Sequence, residues 1–149
     1  MFADVADRMA DVAALGGRIY PAASLSALIA SRQAPQVCPA AFVIPLGIRG
    51  GPVTAMTGFF GQEIAETLGI VLFLRTAGDA TGGRMTDQLT PLRDAVIRRI
   101  VNWSPRSVWG EADEETVGIF RLARGELIDM SAGLLIYQLD FALTDQLRV

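Results

Sequence analysis

Between Gln62 and Arg75 the apolar positions fall into register. Ile64, Leu68, Ile70, Leu72 and Leu74 recur at even spacing, which puts them on one face of an extended strand. Val71 and Phe73 make the opposite face apolar toward the end of the run. A strand buried on both faces belongs in the middle of a sheet. The next residues, Thr76 to Gly83 (TAGDATGG), have the composition of a loop. Met85, Leu89, Leu92, Val96 and Ile100 then follow at spacings of four, three, four and four, which predicts an amphipathic helix over Thr86–Val101. Pro91 leaves two readings of its start. Either Thr90 caps the helix with Pro91 at the first position, or an earlier turn continues through a kink. Asp94 and Arg98 are spaced for an i,i+4 pair on the exposed side.

The flanking segments complete the pattern. Residues 2–15 read as a helix, with Phe2, Val5, Met9, Val12 and Ala13 on one side and Gly16-Gly17 ending it. Arg18–Tyr20 is a short extended piece stopped by Pro21. Ala22–Arg32 has helical spacing at Leu25, Leu28 and Ile29, with Ser24 placed to cap it, and Pro35 breaks it. Pro39–Ile48 reads as a strand that lies at an edge or bulges at Pro45, where a ladder hydrogen bond is lost. Arg49–Gly58 (RGGPVTAMTG) is turn-rich and joins this strand to the central one as a long antiparallel hairpin. Asn102–Pro105 ends the second long helix. Arg106–Gly118 is a polar loop carrying Glu111, Asp113, Glu114, Glu115 and Trp109. A last hairpin pairs Ile119–Met130 with Leu134–Leu143 around Ser131-Ala132-Gly133, where Gly133 supplies a positive φ. The final strand alternates cleanly from Leu135 to Leu143. The preceding one loses phase near Gly125, where a bulge is expected, and the tail from Thr144 to Val149 is expected to be exposed. The order predicts one α+β domain over residues 1–149, with an antiparallel or mixed sheet of about four strands and two or three helices packed on one face.

Composition narrows the function. The 149 residues suffice to bury roughly 68–70% of the unfolded surface without disulfide or metal. The hydrophobic fraction is 51% and the mean hydropathy +0.36. No apolar run approaches the roughly 20 residues of a membrane-spanning helix, so the apolar excess belongs either to subunit contacts or to a well-filled core. The net charge of −3 argues against a general nucleic-acid binder. All thirteen basic residues are arginine, which suits interface ion pairs and equally reflects base composition. The single Cys38 excludes an internal disulfide, and the lack of histidine excludes histidine triads and the usual zinc sites. The first residues carry no basic region and no long apolar core, unlike a signal peptide, and imply synthesis in a cytoplasm.

Nothing in the pattern announces catalysis. The GDATGG stretch before a helix shares its glycines with phosphate cradles, but the Gly-Lys-Ser/Thr of a P-loop is missing. Glu63 and Glu66 lie three apart on a strand, hence on opposite faces, which is poor geometry for paired carboxylates. The acid run at 111–115 lacks the order of a calcium loop. No serine has a nucleophile-elbow setting. The sequence therefore predicts no enzyme, no catalytic residue, no cofactor and no metal.

Several stretches together resemble the tail terminator proteins of long-tailed bacteriophages and prophages. They are Ile19–Ala23, Pro39–Gly47, Gln62 with the apolar run to Arg75, Gly78-Asp79-Ala80 with Gly82, Leu89–Arg93, Trp103-Ser104-Pro105, Gly125-Glu126-Leu127, and Leu135–Phe141. They span most of the chain in one order, although the early part of 22–36 departs from the pattern. The resemblance implies a structural protein of the virion, without cofactor. It would form a hexameric ring on the last ring of tail tube protein, stop tube polymerisation, and offer a surface to the head–tail connector or neck proteins. DNA would pass through the ring without specific binding, and some of the chain's acidic side chains are expected to line that channel. A ring joins two different patches on each subunit. The Arg49–Phe60 hairpin tip is expected to be one of them, through Arg49, Met56, Phe59 and Phe60, with core packing at the hairpin base the other reading of the two phenylalanines. Trp109 is either a lid over the core or an interface anchor. The alternative functions are another neck or tail-completion protein and, less favoured, a small ligand-binding domain or enzyme.

Overall fold

The computed structural model describes residues 1–75, 83–105, 118–131 and 133–148. In chain order these form α1 (Phe2–Met9), a short 3-10 turn (Ala13–Leu15), β1 (Ile19–Pro21), α2 (Ala22–Ala30), β2 (Ala40–Met56), β3 (Phe59–Arg75), α3 (Gly83–Ile100), β4 (Arg121–Ser131) and β5 (Leu134–Arg148). The strands make one sheet in the order β1-β2-β3-β5-β4. β1 runs parallel to β2, and every other pairing is antiparallel. The fold is α+β, with five strands rather than about four because the short Ile19–Pro21 piece joins the sheet.

β3 sits in the middle, as its two apolar faces demand. Leu68, Ile70, Leu72 and Leu74 enter one core cluster with Val5, Met9 and Leu15 from the first segment and Leu89, Leu92, Val96 and Ile100 of α3. Val71 and Phe73 enter a second cluster, with Ala40 and Phe42 of β2 and with Leu25 and Leu28 of α2 packed against it. The helices are therefore divided: α1 and α3 cover one face, and α2 lies on the other. Each fully buried leucine or isoleucine contributes about 1.5–3 kcal/mol relative to its exposed state, so the first face holds most of the fold together.

Several local expectations are corrected. The first helix stops at Met9, because the Ala10 N–H bonds the Asp7 carbonyl and Val12 turns extended. The 3-10 turn then returns Leu15 to the core. Ser24 is not a cap; α2 starts at Ala22 behind Pro21, whose φ of −75° needs no rearrangement. α3 starts at Gly83 and continues through Pro91, so Thr90 is not its cap; the Pro91 ring lies on the exposed side, where water can satisfy the carbonyl left without a partner. Asp94 pairs with Arg93 at 3.0 Å rather than with Arg98. Asn102, at φ +62°, ends the helix in the left-handed conformation.

The largest correction concerns Arg49–Gly58. It is not turn-rich loop but the outer half of β2, in register with β3 as far as Met56 opposite Phe59. Gly51 and Pro52 are absorbed by a register shift between Gly50 and Val53, and a second shift lies between Pro45 and Gly47, before the segment. Only Thr57 and Gly58 connect the strands, with Gly58 at φ +77°. Pro45 is bulged as expected, and it also lies beyond Val43, where β1 stops pairing.

The last hairpin departs in two places. Register shifts fall between Leu122 and Arg124 and between Leu127 and Asp129, while Gly125 itself pairs with Leu139. The Tyr137 hydroxyl lies over Gly125, 2.9 Å from where a Cβ would stand. The tail is not exposed throughout. β5 continues to Arg148, pairing Thr144–Arg148 with Ala65–Gly61, and Asp145 is buried. The TAGDATGG loop up to residue 82 and the acidic loop over 106–117, including Trp109, lie outside the described residues.

Candidate assembly surface

β2 and β3 are each 17 residues long, but only one end of each is covered. Beyond Ile44 every residue of β2 is exposed or half-buried, and β3 matches it from Phe59 to Thr67 apart from Gly61 and Ile64. The two strands thus project an arm from the helix-covered body, with β5 running along it. Register alternation gives the arm two faces. Arg49, opposite Ala65, and the cross-strand pair Met56 and Phe59 share the face of Val71 and Phe73. Phe60 points to the other.

At the tip Met56 is 70% exposed, Phe59 44% and Phe60 36%. The Phe59 ring folds over Gly61, where a Cβ would lie 3.2 Å from it. Neither phenylalanine is in the core. From Gly50 to Gly61 the arm carries no charged residue. Of the anticipated positions, Met56 and Phe59 are therefore brought together on one face of the tip, and Phe60 stands at the same tip on the other face. Arg49 is not among them: it lies six ladder positions down β3, about 20 Å away, and lines a cavity of about 450 Å³ with Thr67 and Arg121 of β4. Neither Arg49 nor Arg121 makes an ion pair among the described residues. The position of Trp109 lies outside the described residues.

A second apolar surface was not marked by the sequence pattern. α2 has no buried residue, and Ile29 on it is 68% exposed. Between α2 and the far end of the sheet runs a groove of about 290 Å³ lined by Leu25, Leu28, Phe73, Ile128 and Ile136 among others. Its lining contains no charged residue. The available signal was the segment AASLSALIA, apolar nearly all round without a charge, which in a helix that is not buried points to a missing neighbour. β4, at the sheet's edge, is exposed along its whole length.

Cys38, beside the second cluster, is half-buried, and its thiol lies above its ordinary value because burial disfavours the thiolate; Arg75 and Arg18 partly offset this. Among the described residues no group of three or more metal-ligating side chains is assembled. No helix among them is long and apolar enough to cross a membrane.

Residues 2–149 match the model of the phage tail terminator protein family. The chain belongs to that family. It is therefore a phage tail protein. Among solved structures, a chain from the virion of a native gene transfer agent particle has the same fold, at TM-score 0.55 and 16% identity over 98% of this chain and 94% of that one. No curated protein matches.

Proposed function

We propose that this tail terminator caps the tail tube as a ring, ends tube polymerisation and gives the head-joining surface. The observation that carries the reading is the uncharged arm, whose Met56, Phe59 and Phe60 stand exposed at a tip built by the longest strands of the fold. An apolar tip of this kind is costly in a free subunit and is explained by burial against another chain. Ring closure needs two unlike patches on each subunit, and the arm is one of them. The acidic balance of the chain supports a channel that lets DNA pass without retaining it. The function calls for no catalysis, cofactor or metal.

Light scattering of the purified protein at two concentrations, with negative-stain images of the same sample, tests the reading. A mass near six subunits and annular particles are expected. Met56→Glu with Phe59→Glu should abolish the ring while leaving the circular dichroism of the subunit intact. Rings of normal size from that double variant would remove the arm from the interface. Added tail tube protein should be held short by the ring, whereas binding to a head connector with no effect on tube growth would reassign the protein to the neck.

A further inference from the structure

We infer that the groove beneath α2 receives the arm tip of the neighbouring copy, so that Met56 and Phe59 of one subunit seat against Ile29, Phe73 and Ile128 of the next. This contact rests on the ring reading above and supplies its second patch.

The two surfaces match in chemistry. The twelve residues from Gly50 to Gly61 carry no charge, and neither does the groove lining. Elsewhere charged side chains border the sheet's second face: Arg49 and Arg121 along the arm, and Arg124, Glu126 and Asp140 further along β4 and β5. A charged or strongly polar partner segment would lose its hydration in the groove without gaining a counter-charge. An uncharged apolar tip loses nothing of the kind. Both surfaces are unsatisfied in the single subunit, since Ile29 is 68% and Ile128 51% exposed against 70% for Met56.

They also match in position. Met56, Phe59, Val71 and Phe73 all lie on one face of the sheet, at opposite ends of β3. Fourteen residues separate Phe59 from Phe73, about 46 Å along the strand. A straight strand of that length cannot bring its own tip back to its own groove. The tip of one copy can fill the groove of the next, and each copy then offers one tip and one groove. Used between successive copies, one tip and one groove link subunits head to tail, the arrangement from which rings close; used twice between the same two copies they would make a two-fold dimer, which the mass by light scattering distinguishes from a ring.

The test uses the full chain with Cys38→Ser, carrying either Phe59→Cys or Ile29→Cys. Both new positions are exposed, so neither substitution disturbs the core. The two proteins are mixed at a concentration where scattering shows assembly and oxidised with copper phenanthroline. The expected result is a disulfide-linked dimer in the mixture and none in either protein alone. Ile29→Glu should raise the concentration at half-assembly at least tenfold. Rings that form in the mixture without cross-links, and that tolerate Ile29→Glu, overturn the contact while leaving the ring reading standing. Cross-linking of Phe59→Cys with itself overturns it in favour of tips meeting tips. Protection of Ile29→Cys from maleimide only on adding tail tube protein would assign the groove to the tube instead. If no assembly forms at any concentration, with or without tube protein, the ring reading fails and this contact with it.

Discussion

Arg8 and Arg99 each donate a hydrogen bond to the other's backbone carbonyl, at 2.8 Å from Arg8 Nε and 3.2 Å from Arg99 Nε. Both carbonyls belong to the last turn of a helix, α1 and α3 respectively. Each arginine therefore satisfies a carbonyl that its partner helix leaves open, and places a positive charge at the negative end of that helix. Arg99 also pairs with Asp11, and the Arg8 guanidinium lies 5.6 Å from the centre of the Trp103 ring. The two helices are clamped across the core by groups from 91 residues apart in sequence. Arg99→Ala and Arg8→Ala should each lower stability by about 1–2 kcal/mol, the upper range for charged donors being reduced by partial exposure. Urea unfolding of the single and double variants checks this. A midpoint unchanged in both singles would remove the clamp from the account of stability.

The divided burial of β2 and β3 predicts a divided response to truncation. Leu72, on the central strand, is fully buried in the core cluster with residues of α1 and α3. Leu72→Ala should cost about 2–5 kcal/mol. Val53, on the arm, is 53% exposed, and Val53→Ala in the free subunit should fall within about 0.5 kcal/mol of wild type. Thermal melts of the two variants suffice, and equal losses would contradict an arm that stands free of the core.

Gly118 enters the fold where the chain passes against β5. A Cβ on it would run into the carbonyl oxygen of Thr144, and its own carbonyl accepts from Ser104 Oγ at 3.0 Å. Gly118→Ala must displace one of these strands of chain and should cost about 1–3 kcal/mol. Gly47, where a Cβ meets nothing within 4 Å, is the control, and Gly47→Ala should leave the denaturation midpoint within error.

Cys38 gives a pH-dependent readout. Burial holds its thiol above the ordinary value, and the thiolate is the species that reacts with iodoacetamide. At pH 8 alkylation of the native protein should be slower than in urea, and its rate should rise at higher pH than in the unfolded chain. The sign for stability follows from the same shift. The contribution is present below the unfolded thiol's pKa and is lost as pH rises through that value toward the raised folded one. Equal native and unfolded rates across this range would show that the thiol is not shielded.

Much of the body was legible because burial leaves a periodic trace. Leu68 to Leu74 on one face, Val71 and Phe73 on the other, and the spacing of Leu89, Leu92, Val96 and Ile100 each followed from which sides are covered. The arm was harder for the same reason. With both faces wet, Gly50, Gly51, Pro52 and Thr54 carry no alternation to announce a strand, and their composition is that of a turn. What holds them extended is pairing with β3, a long-range fact. The tail was misread because Thr144–Arg148 is likewise half-wet and gains its order from Gly61–Ala65. At the tip the sequence left Phe59 and Phe60 between exposure and core packing; both are exposed, Phe59 beside Met56 and Phe60 on the opposite face. The groove was invisible because its walls come from α2 and the residues after it and from β2, β3, β4 and β5, joined only by the fold.

The continuity of β3 from Phe59 to Arg75 has a further consequence. One unbroken strand measures out the distance from apolar tip to apolar groove, in steps of about 3.3 Å per residue. In an assembly closed by that contact, β3 acts as a gauge for the spacing of neighbours, and hence for the circumference of the bore. Substitutions along the arm leave the gauge unchanged. Adding one residue to each strand would turn Met56 and Phe59 to the wrong side. Adding two would restore their side and lengthen the gauge by about 7 Å, so the number of subunits, or the closure itself, would have to change.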